Sequence, residues 1–166
     1  MALTAYMTLK GSKSGDIKGD VIQKGREGQI AVYAAHQATT IPTDPASGMA
    51  TGRRRHTPLI VTKEIDRSSA PMHTLVNTNE LIKEVVVYFY GVPKTGSGAQ
   101  MGVEAVVYTI KLTNARIVSI TTEMENNRLD PGKTLPILET IHFSFETIEW
   151  TWLNGGLTSV DTVTVI

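Results

Sequence analysis

The residues from Thr140 to Leu153 alternate apolar and polar side chains with a period of two, and the phase of that alternation changes partway along. Ile141, Phe143 and Phe145 share one face; at Thr147 and Ile148 the parity slips by one residue, and Ile148, Trp150 and Trp152 carry the apolar side. A period of two is that of a β-strand half buried against a core. A slip of one residue requires either a bulge or a change in the layer that covers the strand. A strand of this length belongs to a barrel or to a strongly bent sheet.

The rest of the chain reads in the same idiom. Leu3, Ala5, Met7 and Leu9 alternate with Thr4, Tyr6 and Thr8 up to the turn-rich segment from Gly11 to Gly15. Val21 and Ile22 are expected to open a short strand, and Ile30 to Gln37 alternates again with small or apolar residues on both sides, which implies contacts on both. Leu59, Val61 and Ile65 form another strand, and Ser69-Ala70-Pro71 with Met72, Leu75 and Val76 at helical spacing is expected to form a capped helix of roughly two turns. From Val85 to Tyr90 both faces are apolar or aromatic, so this strand is either central in a two-layer packing or covered by a neighbouring subunit. Val106, Tyr108, Ile110, Leu112, Val118, Ile120 and Met124 hold one face of one very long strand, or of two in line, interrupted at Asn114 and Arg116. Gly96 to Gly98 reads as a turn, Asn126 to Gly132 as another, and the Thr- and Val-rich tail after Asn154-Gly155-Gly156 is expected to add an edge strand. The class is therefore mainly β, a single-domain barrel of two packed sheets with one short helix.

Between Pro42 and His56 lies the one long stretch with no period. Loops of that length inside a compact domain are uncommon unless they have a task. The alternative is a solvated surface loop. Its three consecutive arginines, Arg53, Arg54 and Arg55, are followed by His56 and form the only local charge cluster.

No catalytic constellation emerges. His36, His56, His73 and His142 show no pairing at metal-ligand spacing, so no metal or other cofactor is expected. Serine and threonine are abundant without the glycine context of an activated nucleophile. Glu123 and Glu125 share a strand face with nothing that selects them as an acid–base pair. Trp150 and Trp152 suit a core or an interface better than a sugar-stacking platform. Sixteen basic and sixteen acidic residues leave no net charge, which argues against nucleic acid as a partner and leaves little repulsion between copies. There is no cysteine, no stretch near the roughly 18 apolar residues that would cross a bilayer, and no leader-like N-terminal segment. Export, if it occurs, is expected to proceed without cleavage of a signal peptide and without membrane insertion.

Three segments in order, Pro58 to Pro71, Tyr108 to Ala115 and Phe143 to Trp152, resemble the haemolysin-coregulated protein (Hcp) family of bacterial type VI secretion. With the N-terminal Ala5-Tyr6-Met7-Thr8-Leu9 strand the resemblance spans residues 1–166 as one domain. It implies a phage-tail-tube-like barrel with a helix on its side, assembling into homohexameric rings that stack as an inner tube. The tube would be fired by a contractile sheath, tipped by a spike protein and loaded with secreted effectors. The implied protein is structural, not an enzyme, resident in the bacterial cytoplasm before firing and then secreted. Asp16 to Gln37 is less typical of the family, and no fused C-terminal toxin domain is expected.

A ring subunit must bury two different patches on its neighbours. The candidate contacts are the loop residues Thr43, Met49, Arg53, Arg54, Arg55 and His56, expected to reach an adjacent ring, and Val86, Tyr88 and Tyr90 on the two-faced strand, expected at the seam within a ring. The competing reading is a monomeric barrel that binds a small ligand or carbohydrate, lined by Tyr88, Trp150 and Trp152.

Overall fold

A computed structural model of the chain describes residues 3–93, 103–130, 132 and 134–163. The turn expected at Gly96 to Gly98 lies outside them. The elements are β1 (Thr4–Gly11), β2 (Gly15–Ile17), β3 (Ile30–Val32), β4 (Ala34–His36), β5 (Thr39–Thr40), β6 (Arg55–His56), β7 (Leu59–Glu64), α1 (Ser69–Asn77), β8 (Ile82–Gly91), β9 (Ala105–Glu123), β10 (Leu138–Trp152) and β11 (Leu157–Thr162).

An antiparallel ladder runs β1-β8-β9-β10-β7, with β2 on β1 and β11 on β10. The segment from Ile30 to His36 joins its two ends. β3 pairs with β1 (Ala5↔Val32, Met7↔Ile30), and β4 pairs with β7 (Ala34↔Thr62, His36↔Ile60). Between them the Tyr33 N–H donates to Thr62 O at 2.8 Å. The ladder thus returns to its start as a barrel, which removes most of the open strand edges that invite unwanted pairing. The two-sided pattern of Ile30 to Gln37 reflects this bridging position.

The phase change in β10 is real and is shared by three strands. Buried positions switch from Ile141 and Phe143 to Ile148 on β10, from Ile110 and Leu112 to Ala115 and Ile117 on β9, and from Ile82 to Val85 and Val87 on β8. The registers Ile82↔Ala115, Glu84↔Thr113, Phe145↔Ala115 and Thr147↔Thr113 align Lys83, Asn114 and Glu146 in one row across the sheet. Asn114 has φ 52, and its Nδ2 donates to Glu146 Oε2 at 2.7 Å. A left-handed residue breaks the side-to-side alternation of a strand. Because pairing on either side of the row keeps the same register, no residue is inserted there, and the sheet folds along a crease. The bulge lies elsewhere. His142 pairs with Ser119 and Phe143 with Ile117, which leaves Val118 unpaired and exposed. The expectation of one apolar face from Val106 to Met124 therefore holds only in part beyond Asn114: Ala115 and Ile117 point inward and Val118 and Met124 face solvent, while past the bulge Ile120 packs against the core as expected. β9 is nevertheless one strand of 19 residues.

The core is built from cross-strand rows such as Met7-Val87-Ile110 and Leu9-Val85-Leu112-Ile148. Two other expectations need correction. Val21 and Ile22 form no strand: Ile22 projects into solvent from the loop 18–29. That loop runs so close to β3 that a Cβ on Gly19 would lie 2.8 Å from Ile30 Cα, a clash with backbone that only glycine avoids. Ile65 is exposed just past the end of β7, and the inward position on that strand belongs instead to Lys63.

Lys63 is fully buried, and its ammonium lies 2.7 Å from Glu139 Oε1, 2.8 Å from Asp66 Oδ1, 2.9 Å from Glu64 O and 3.1 Å from Ser69 Oγ. Ser69 Oγ donates in turn to Glu139 Oε1 at 2.6 Å. Lys63 and Glu139 are direct cross-strand partners, so the network fastens α1 to β7 and β10 from inside. The helix starts as its composition suggests but is capped differently. Ser68 makes no side-chain cap bond, and its N–H donates to Asp66 Oδ1 at 2.8 Å. It ends in a Schellman motif, with Asn79 N–H on Val76 O (3.0 Å) and Glu80 N–H on Leu75 O (2.9 Å), Asn79 supplying the left-handed residue at φ 50. Glu80 then accepts bonds from the N–H groups of Lys13 (2.6 Å) and Ser14 (2.8 Å) and from Ser14 Oγ (2.7 Å). Those backbone donors hold its carboxyl below the usual glutamate range and tie the helix to the β1–β2 turn.

Candidate assembly surfaces

The stretch expected to be without structure is a hairpin arm. Its neck is the β5–β6 ribbon (Thr39↔His56, Thr40↔Arg55), and further out Thr43 bridges Ala50. Asp44 organises the tip: its carboxylate accepts from the Ala46 N–H (3.0 Å) and Ser47 Oγ (2.8 Å), its carbonyl accepts from the Gly48 N–H (2.8 Å), and its own N–H donates to Met49 O (2.8 Å). Gly48 takes φ +69 to close the turn. The hydrogen bond from Ala46, then that from Ser47, hold the Asp44 carboxyl below its ordinary value. The arm is exposed along its length, and Met49 keeps 69% of its surface open.

The arginine run divides by role. Arg54 makes a bidentate pair with Asp161 of β11, and His56 Nε2 lies 2.6 Å from Asp161 Oδ2. A carboxylate only accepts, so Nε2 bears a proton, and Thr39 Oγ1 sits 2.9 Å from Nδ1. The His56 ring, almost wholly buried, packs 5.9 Å from both Phe145 and Trp150. Asp161 thus latches the arm's neck to the final strand of the sheet, an edge strand as the tail composition implies. The side chains of Arg53 and Arg55 have no partner among the described residues, and these residues share an open concavity of about 380 Å³ with Arg54, His56 and Val163. The sequence carried no signal for Asp161, a single acid in a Thr/Val tail far from His56.

The latch has a definite pH dependence. Hydrogen bonds from Arg54 first and His56 second hold the Asp161 carboxyl well below the usual aspartate range. A depressed folded-state value means that the stabilisation is fully present above the unfolded value near ~4 and is lost as pH falls through the lower folded value. The neck should therefore stay closed at neutral and mildly acidic pH. Asp161→Asn is expected to speed amide exchange in β6 at pH 7 while leaving β8 and β9 unchanged. Equal exchange in the variant and the parent would show that the neck holds without the latch.

The outer face of β8 is less open than its composition suggests. Tyr90 lies under Arg26, whose guanidinium carbon is 3.6 Å from the ring centroid and 4.9 Å from that of Tyr6. The two rings meet edge to face at 5.4 Å, and Arg26 also bonds Glu104 at 2.9 Å. Val86 is buried as well, beside Lys111, which pairs with Glu84 at 2.8 Å. Of the three residues expected at a seam, Tyr88 alone remains partly open, flanked in register by Tyr6 and Thr109. Tyr88 also faces away from Trp150 and Trp152. In register Trp150 aligns with Ile110 and Val87, whereas Tyr88 aligns with Thr109 and Thr151 on the opposite side of the sheet. The three aromatics cannot line one ligand pocket.

His36 and His73 are exposed and His142 is half buried, with no group of three or more metal-ligating side chains among the described residues. Among those residues no helix is long and apolar enough to cross a membrane. Exposed apolar side chains are numerous, including Trp152, Leu153, Leu157 and Val160 around the β10–β11 turn.

Residues 6–152 match the family model described as type VI secretion system effector, Hcp. The major exported protein of Pseudomonas aeruginosa is 32% identical over 171 residues, spanning 97% of this chain and 95% of that protein. Among solved structures, the Hcp1 protein from E. coli EAEC 042 pathovar superposes with a TM-score of 0.81 at 32% identity, covering 97% of this chain and 99% of that one. The secreted protein Hcp3 from Pseudomonas aeruginosa gives 0.76 at 26% identity, covering 99% and 100%.

Proposed function

The chain belongs to the Hcp family of type VI secretion, and on that premise we propose that it is a tube subunit: six copies close into a ring, rings stack, and the tube is expelled with effectors in its lumen. Spike protein at the tip and contractile sheath around the tube are the further partners of this reading. The family is one of structural secreted proteins, and we read this chain as a non-enzyme released from the cytoplasm uncleaved, with residues 1–166 acting as one domain.

The observation that carries the reading is the arm. A hairpin with its own internal hydrogen bonds, latched at the base and exposed at the tip, is shaped to meet something outside its own barrel. Fixing a loop costs roughly 1–2 kcal/mol per residue, and here that cost is met partly in advance by the Asp44 turn and the Asp161 latch. A ring also needs a lateral seam, for which the part-open Tyr88 on the outer face of β8 is the candidate. The monomeric binding module is the weaker reading, because its lining residues lie on opposite faces of the sheet.

Native mass measured at micromolar concentration tests the proposal directly. A hexamer is expected, with each neighbour contact burying on the order of 1,500 Å² or more; a monomer would refute it. Replacing residues 42–52 with a short Gly-Ser bridge, which keeps the neck and latch, is expected to give intact rings that fail to stack under the electron microscope. Tubes as long as those of the parent would assign the arm no role in stacking.

A further inference from the structure

β7 has the arm at one end and a cavity at the other. The ribbon that carries the arm adjoins the Leu59 end, through Thr57 N–H on Ala38 O at 2.9 Å. Past the Glu64 end lies a cavity of about 290 Å³ lined by Asp20, Val21, Ala31, Tyr33, Glu64, Ile65 and Asp66. The β4–β7 register (Ala34↔Thr62, His36↔Ile60) places Tyr33 beside that far end. Six residues of strand therefore separate the two features, roughly 17–20 Å along one axis.

Their chemistries are complementary. The arm offers Met49, an unbranched apolar side chain at its tip, and Arg53, which has no partner among the described residues. The cavity offers an apolar lining with Tyr33 and Ile65 open at its rim, and carboxylates beside them. Asp66 is turned inward to Lys63, but Asp20 and Glu64 are exposed. Glu64 accepts the Tyr33 hydroxyl and keeps further acceptor capacity, and among the described residues Asp20 accepts only the Arg67 N–H at 3.2 Å. The side chain of Arg67 lines two neighbouring grooves, one of which it shares with Lys18, Asp20 and Val21. The same end is further acidified by the exposed Glu123, aligned with Glu64 through Leu138. A chain of zero net charge is thus locally cationic at one end of β7 and acidic at the other.

We propose that this cavity is the receptor for the arm of a second copy of the chain, with Met49 seated against Ile65 and Val21 and Arg53 paired to Glu64 and Asp20. The proposal rests on the tube reading above and names the partner surface it leaves open. Donor and acceptor patches at opposite ends of one strand form a heterologous contact that propagates as an open stack. Opposite charges fix its polarity and disfavour end-to-end mispairing, while the seated methionine and the preordered arm supply attraction that exposed ion pairs alone do not.

A charge swap tests it. Arg53→Glu and Glu64→Arg, made singly, are each expected to leave rings of unchanged native mass that no longer stack, and the two combined in one chain should restore tubes. Asp20→Arg gives a second acceptor variant, at an exposed loop position, should Glu64→Arg disturb the Tyr33 contact; it should lose stacking and be rescued by Arg53→Glu in the same way. Single variants that stack like the parent, or paired variants that do not recover, overturn the receptor and leave the ring reading standing. A parent chain that never leaves the monomer overturns both.

Discussion

Lys63→Met should lower the unfolding free energy by about 3–5 kcal/mol, because removing one member of a buried ion pair strands the other without a counter-charge. Glu139 would keep its bond from Ser69 Oγ but lose the ammonium 2.7 Å away, in a position that is only 1% exposed. For a chain of 166 residues that loss corresponds to a fall in melting temperature of roughly 6–20 °C. The damage should be local at first, because α1 loses its internal fastening to β7 and β10 while the β1-β8-β9 ladder keeps its apolar rows. Glu139→Met in the same chain should recover most of the stability, since a buried pair replaced by apolar groups of similar volume is often neutral or better. Chemical denaturation of the single and double variants decides. A single variant as stable as the parent would mean that solvent reaches the site and screens the pair.

Tyr88→Glu is expected to convert rings to monomers without unfolding the subunit. Tyr88 sits on the outer face of β8, partly open, between a Tyr6 already engaged with Tyr90 and a threonine. A carboxylate there costs little in the free subunit, where water solvates it. In a closed seam it would be buried without a partner, at about 2–5 kcal/mol per contact. Each 1.4 kcal/mol is tenfold in affinity, so every contact of the ring would weaken by roughly 30-fold or more. Native mass reports the shift, and circular dichroism should be unchanged. A hexamer that persists would place the seam away from β8, whereas an unfolded chain would assign Tyr88 to the fold alone. Val86→Glu and Tyr90→Glu are expected to unfold the subunit, since both positions are buried within the chain.

Much of the architecture was legible because side-chain alternation is a local property. Whether residue i faces the core depends on strand parity, and the parity of Met7, Leu9, Val85, Val87, Ile141 and Phe143 is written in adjacent residues. The phase change in β10 was visible for the same reason. The helix was legible from Pro71 and the spacing of Met72 and Leu75, but its cap was not, since Ser68 and Asp66 are equally good acceptors by composition. The buried charges were within reach of the sequence and were missed. Lys63 shares the parity of Leu59 and Val61, and Glu139 that of Ile141, so two opposite charges were assigned inward positions on two strands. Only their pairing in register shows that one satisfies the other.

By itself, then, the sequence determined the β class, the crossing of faces within β10, the presence and position of the aperiodic arm, and a family resemblance carried by motifs across its length. The tertiary structure alone decided which arginine of the run is taken by Asp161, that Tyr90 is sealed under Arg26, that the Ile30 to His36 segment closes the barrel, and that the arm and the acidic cavity stand at opposite ends of β7. These are matters of register between segments far apart in the chain. A strand's own residues specify which face is buried, but its neighbour and its alignment follow from the free energy of the whole closed ladder, to which every other strand contributes.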